Sequence, residues 1–114
     1  MKVENRPIVK KLVVSRNGNE LASSVVDQPV ITIGRSPTCD IVLRARGVRP
    51  VHFLLEWYGS YPVGKSNGRW SVIEIPPGKV LLDEDFDDFG LGKVLGDNKS
   101  HIGDFEFSWR DDKL

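Results

Sequence analysis

Ile31-Thr32-Ile33-Gly34-Arg35-Ser36-Pro37-Thr38-Cys39-Asp40-Ile41-Val42-Leu43 is the stretch that decides the fold. A β-branched run stops at a glycine, crosses a polar turn-forming segment and resumes as a second β-branched run. Both runs are too short for a helix, and nothing in them recurs at helical spacing. The same pattern extends in both directions along the chain. Candidate strands lie at Ile8–Ser15, Glu20–Val26, Val30–Ile33, Ile41–Leu43, Val51–Trp57, Arg69–Ile75, Val80–Leu82 and Phe105–Trp109. Turn chemistry separates them at Asn17-Gly18, Pro37, Gly47, Pro50, Gly59, Asn67-Gly68, Pro76-Pro77-Gly78 and Gly103. The segments 70–75 and 105–109 alternate apolar and polar as half-buried strands do. Short strands with no helical segment between them predict an all-β antiparallel sandwich. It spans residues 8–109, between an N-terminal tail at 1–7 and a C-terminal tail at 110–114 expected to continue into a larger protein.

Composition agrees with one folded domain. The chain has 114 residues, 39% of them apolar and 28% charged, enough for a core and too balanced for disorder. Its single cysteine, Cys39, can neither staple the fold nor build a thiolate zinc site. No secretory pattern opens the chain and no apolar run approaches the roughly 20 residues of a membrane span, so a cytoplasmic protein without membrane insertion is expected. Sixteen basic and sixteen acidic residues cancel, which argues against a nucleic-acid partner. The charges are nevertheless divided: residues 1–57 carry +4 and residues 58–114 carry −4. Arg35, Arg44, Arg46 and Arg49 concentrate the basic surplus, with Asp40 the one acid among them. Asp83, Glu84, Asp85, Asp87 and Asp88 concentrate the acidic surplus, and this run is expected to screen the arginines as an internal competitor.

Several motifs invite chemistry that their context does not support. Gly59-Ser60-Tyr61-Pro62-Val63-Gly64-Lys65-Ser66 satisfies the phosphate-cradling pattern G-x-x-x-x-G-K-S. That cradle needs a helix starting at Lys-Ser, whereas Asn67-Gly68 and a strand-like alternation follow here. Nucleotide binding at Gly59–Ser66 is therefore an alternative, and a long hairpin loop is the expectation. Asp83-x-Asp85-x-Asp87 starts like a calcium loop but has Asp88 where glycine and Val94 where glutamate belong. His52 and His101 lack ligand partners at motif spacing, and no serine or cysteine sits beside a histidine as a nucleophile would. No metal, cofactor or catalytic residue is expected.

What remains is an anion site. A strand ending at Gly34 delivers Arg35 and Ser36 onto one loop, and a second loop carrying Arg49 precedes an apolar strand that opens near His52. Two such loops at one end of a sandwich would converge on an anion.

At this point the sequence resembles the forkhead-associated (FHA) domain. The resemblance rests on Gly34-Arg35-Ser36, on Cys39-Asp40-Ile41-Val42-Leu43 and on His52 followed by Phe53-Leu54-Leu55, with Trp70-Ser71-Val72 and Gly103-Asp104-Phe105-Glu106-Phe107 as later strands. It implies an antiparallel β-sandwich of about eleven short strands. The implied function is a non-catalytic protein-interaction module whose apical loops bind phosphothreonine peptides. Arg35 matches the arginine that contacts phosphate, Ser36 lies on the same loop, Gly34 permits the strand-to-loop transition, and His52 matches a histidine that holds the loops together.

The pattern also departs from the family. Arg49 stands where a phosphate-binding serine is expected, Pro50 follows it in place of an arginine, and Pro76-Pro77-Gly78 replaces an Asn-Gly that would hold the peptide backbone. Losing two charge-assisted hydrogen bonds costs about 3–6 kcal/mol. The Arg49 guanidinium can grip phosphate bidentately and so offset part of that loss. Two outcomes stay open: phosphate recognition through Arg35, Ser36 and Arg49, or phosphate-independent binding of an unmodified partner. A phosphorylated partner would be the substrate of a Ser/Thr kinase. A structural assembly domain is a further alternative to this monomeric module.

Overall fold

The computed structural model describes residues 8–78, 93–96 and 99–113. Among the described residues nine strands follow one another: β1 (Ile8–Arg16), β2 (Asn19–Val25), β3 (Val30–Gly34), β4 (Ile41–Val42), β5 (Phe53–Gly59), β6 (Gly68–Glu74), β7 (Lys93–Leu95), β8 (Ser100–Ile102) and β9 (Phe105–Lys113). No helix occurs among the described residues. One sheet has the order β2-β1-β9-β8 and the other β4-β3-β5-β6-β7, so the expected all-β sandwich is what forms.

Alternation along each strand builds the core. Leu12 and Val14 of β1 with Phe105 and Phe107 of β9 face Ile31 and Ile33 of β3, Phe53 and Leu55 of β5, and Trp70 and Val72 of β6. Phe53 is fully buried and meets Phe105 and Phe107 edge-on, both at 5.1 Å between ring centres. Edge-to-face packing sets the positive rim of one ring against the negative face of another, which locks the two sheets together.

Three features differ from the sequence expectation. First, β3 and β4 pair in parallel, with Ile33 opposite Ile41, inside an otherwise antiparallel molecule. The connection is short because Asp40 closes it: its Oδ2 accepts from the Thr32 backbone N–H at 2.9 Å, and its own N–H donates to Thr32 Oγ1 at 3.1 Å. The carboxylate occupies the edge position that a strand partner would otherwise fill, so β4 begins only at the next residue. Second, β9 does not end at Trp109; it pairs with β1 out to Lys113. Arg110 there donates to Glu20 at 2.9 Å, and Asp112 takes a salt bridge from Lys11 at 2.9 Å. Third, β7 and β8 were not anticipated, since three residues such as Lys93-Val94-Leu95 are too few to display alternation. The expected strand at Val80–Leu82, the acidic run at 83–88 and the calcium-like pattern lie outside the described residues.

Strand direction decides which loops meet. Phe53, at the start of β5, lies opposite Ile33 near the end of β3 and opposite Glu74 at the end of β6. The loops 35–40, 43–52 and 75–78 therefore gather at one end, while the connection 60–67 closes the opposite end between Gly59 and Gly68. No described helix is long and apolar enough to cross a membrane.

Candidate functional site

Backbone hydrogen bonds lace the two arginine-bearing loops together. Arg35 N–H donates to the Arg49 carbonyl at 2.9 Å, Ser36 N–H to the Pro50 carbonyl at 3.1 Å, and His52 N–H to the Ile33 carbonyl at 2.9 Å. This approach is possible only because residue 34 lacks a side chain. A Cβ on Gly34 would lie 2.8 Å from the Pro50 carbonyl carbon and 2.9 Å from the Val51 Cα, with the Pro50 oxygen closer still. Cys39 adds a thiol hydrogen bond to that same carbonyl oxygen at 3.1 Å. Burial pushes its pKa up and keeps the thiol protonated as a donor.

Arg35 is exposed at the rim, and its Nη1 donates to the Ala45 carbonyl at 2.9 Å. Ser36 pairs its hydroxyl with Thr38 Oγ1 at 2.8 Å, and its Oγ also accepts from Thr38 N–H at 3.3 Å. Two hydroxyls thus stand beside the Arg35 loop. The sequence reading overlooked Thr38, although the Ser-Pro-Thr order is the signature of such a hydroxyl-closed turn.

Arg49 is positioned differently. Its backbone belongs to the site, but its guanidinium turns toward the end of β6, where Nη2 donates to the Ile75 carbonyl at 2.7 Å and to Glu74 Oε2 at 3.3 Å. His52 completes this knot: its Nδ1 accepts from Arg49 N–H at 3.1 Å, which fixes the tautomer and leaves Nε2 to face Glu74 Oε2 at 3.3 Å. The ring is 4% exposed and stacks on Phe53 at 4.5 Å. Burial first, and the Arg49 guanidinium second, hold His52 below its ordinary 6.5, with Glu74 opposing both, so the neutral imidazole is the resident form. Ile75 N–H in turn donates to the His52 carbonyl at 2.8 Å. Glu74 and the Ile75 carbonyl, which hold this assembly, carry no sequence signal, because the β5–β6 pairing and not motif spacing brings them to it.

The structure therefore brings Gly34, Arg35, Ser36, Arg49 and His52 to one end, with the guanidinium of Arg35 outward and that of Arg49 engaged by β6. The G-x-x-x-x-G-K-S segment lies at the other end and no helix follows it. Lys65 N–H closes a turn on the Pro62 carbonyl at 3.1 Å, and Gly68 opens β6 directly afterwards. Gly59–Ser66 is a hairpin connection, which corrects the nucleotide-binding alternative. Among the described residues no three His, Cys, Asp or Glu side chains cluster as a metal site would require.

Comparison with known proteins gives a consistent picture. Residues 31–77 match the FHA domain family. The Slr1951 protein from Synechocystis sp. has a similar structure, with a TM-score of 0.58 at 14% identity, covering 88% of this chain and 95% of its own. The yeast Dun1 FHA domain, determined in complex with a doubly phosphorylated (pT) peptide derived from Rad53 SCD1, gives a TM-score of 0.57 at 18% identity, covering 97% of this chain and 83% of its own. No curated protein matches the sequence.

Proposed function

We propose, from the match of residues 31–77 to the FHA domain family, that this chain is a non-catalytic, phosphothreonine-reading interaction module. FHA domains are phosphopeptide-binding modules for protein–protein interaction. The observation that carries the reading is the exposed Arg35 guanidinium on a loop held rigidly by the Arg49 and Pro50 carbonyls. Preorganisation of this kind removes the entropic cost of fixing the arginine when the ligand arrives. Arg35 supplies the charge-assisted contacts to phosphate, and the hydroxyls of Ser36 and Thr38 rotate to donate the remaining ones. Arg49 acts first as a brace, tying the loop to Glu74 and Ile75, and reaches phosphate only by releasing those bonds. The partner is a Ser/Thr-kinase substrate, and the domain works as a cytoplasmic monomer without nucleic acid.

The test is fluorescence anisotropy with labelled phosphothreonine peptides and the same peptides unmodified. The expected result is phosphate-dependent binding that Arg35→Ala weakens by at least tenfold, since one charge-assisted contact contributes about 1.5–3 kcal/mol. Equal affinity for modified and unmodified peptides would overturn phosphate recognition and leave a phosphate-independent interaction module.

A further inference from the structure

Arg44 and Arg46 flank Ala45, whose carbonyl binds the Arg35 guanidinium. The tripeptide Arg44-Ala45-Arg46 is held through its main chain. The Ala45 carbonyl accepts from Arg35 Nη1 at 2.9 Å and from Val48 N–H at 3.3 Å. The Arg46 carbonyl accepts from Arg16 Nη1 at 2.7 Å. Two arginines thus serve as struts for a short loop that displays two more. Both Arg44 and Arg46 are exposed, and among the described residues neither guanidinium has an ion pair or hydrogen bond.

Two carboxylates at this end are engaged elsewhere. Asp40 accepts from Thr32, and Glu74 serves Arg49 and His52. Asp104, in the turn before β9, pairs with none of the four arginines. Arg16 at the end of β1 and Arg35 on the 35–40 loop therefore meet the 44–46 loop, and with Arg44 and Arg46 they set up a local positive potential in a chain of zero net charge.

We infer that the Arg44-Ala45-Arg46 loop is a second anion subsite that selects phosphothreonine ligands carrying acidic residues beside the phosphothreonine. The inference rests on the phosphopeptide reading above. Guanidinium forks match carboxylates bidentately, and the main-chain struts fix where they project. A nucleic acid is the less suitable polyanion, because the charge occupies one loop and forms no stripe along the molecule.

Anisotropy with three labelled peptides tests this: phosphothreonine with alanine and serine flanks, phosphothreonine with aspartate and glutamate flanks, and the acidic peptide with plain threonine. The acidic phosphopeptide should bind about fivefold to tenfold more tightly than the neutral one, as two partly screened ion pairs allow. That gain should shrink with added salt and vanish in the Arg44→Gln/Arg46→Gln protein, with neutral phosphopeptide affinity unchanged. Because both side chains are exposed and neither guanidinium has an ion pair or hydrogen bond among the described residues, this variant should melt with the wild type, and Arg46→Gln alone should lose about half of the logarithmic gain. Equal binding of the two phosphopeptides, or a gain that survives the double substitution, would overturn the inference. So would a single-stranded oligonucleotide that displaces the acidic phosphopeptide at matched charge. If neither phosphopeptide binds better than the plain acidic peptide, the phosphopeptide reading itself fails, and this inference falls with it.

Discussion

The two ends of the sandwich both carry glycines, a cation and a serine, and they use them for opposite purposes. At the 60–67 end, Gly64 sits at φ +72° where a Cβ would lie 3.5 Å from Trp70 Nε1, and the Trp70 ring lies 5.3 Å from Trp57 and 6.2 Å from Trp109. Trp57 Nε1 donates to the Ser60 carbonyl at 2.9 Å, so the loop folds down on an aromatic row. At the 35–52 end, Gly34 lets two loops touch through their backbones and leaves the Arg35 side chain outward. A phosphate motif therefore has meaning only where the backbone around it presents donors. The first end matches a nucleotide motif and closes a hairpin; the second matches none completely, yet its loops are laced backbone to backbone and leave the Arg35 guanidinium exposed.

That contrast is easiest to break at its glycines. Gly34→Ala should cost about 3 kcal/mol of stability, because the new Cβ meets rigid backbone from Pro50 and Val51. Gly64→Ala should cost about 1 kcal/mol, the strain of a left-handed residue whose Cβ finds ordinary room, 3.5 Å from Trp70 Nε1. Urea melts of both variants check this, and similar losses would mean that the two ends are equally tight.

Binding sharpens the same contrast. Arg35→Ala should reduce phosphopeptide affinity at least tenfold, corresponding to about 1.5 kcal/mol or more, while Lys65→Ala should leave it unchanged. Isothermal titration of the two variants against one phosphothreonine peptide distinguishes them, and a loss with Lys65→Ala would contradict the division of roles.

Acidification should act on the 35–52 end through His52. His52 has a folded pKa below its ordinary 6.5, so between the two values the unfolded chain binds more protons than the folded one. Stability is thus intact above about pH 6.5 and falls as the pH drops below it. The effect is moderated by Glu74, which favours the charged ring. Thermal melts across this range should show the loss in wild type and a flatter profile in His52→Gln. The smallest effect expected is that of Glu74→Gln: an ion pair to a half-exposed carboxylate contributes about 0.5 kcal/mol, read as a slight shift in urea midpoint.

Much of this architecture is legible from residues alone. β-branched runs ending at Gly34 and resuming at Ile41 announce strands, and the turn residues between them announce the connections. Asp40 hides the parallel β3–β4 pairing, because a side chain that substitutes for a strand partner leaves no periodic trace. In the site, Arg35, Ser36 and Arg49 are visible as residues on two loops. The direction of the Arg49 guanidinium is not, since it depends on Glu74 and Ile75, 25 and 26 positions away and adjacent only through the β5–β6 pairing. Thr38 is legible in retrospect, because Ser36-Pro37-Thr38 is a local pattern that sets two hydroxyls side by side on one turn.

Amide-resolved NMR during titration with a phosphothreonine peptide tests the central claim most directly. The account predicts that the amides of Arg35, Ser36 and Thr38, with those of 44–49, move on binding while the amides of 60–67 stay in place, and that the unmodified peptide moves neither set. Shifts confined to 60–67, or identical shifts from the unmodified peptide, would contradict it.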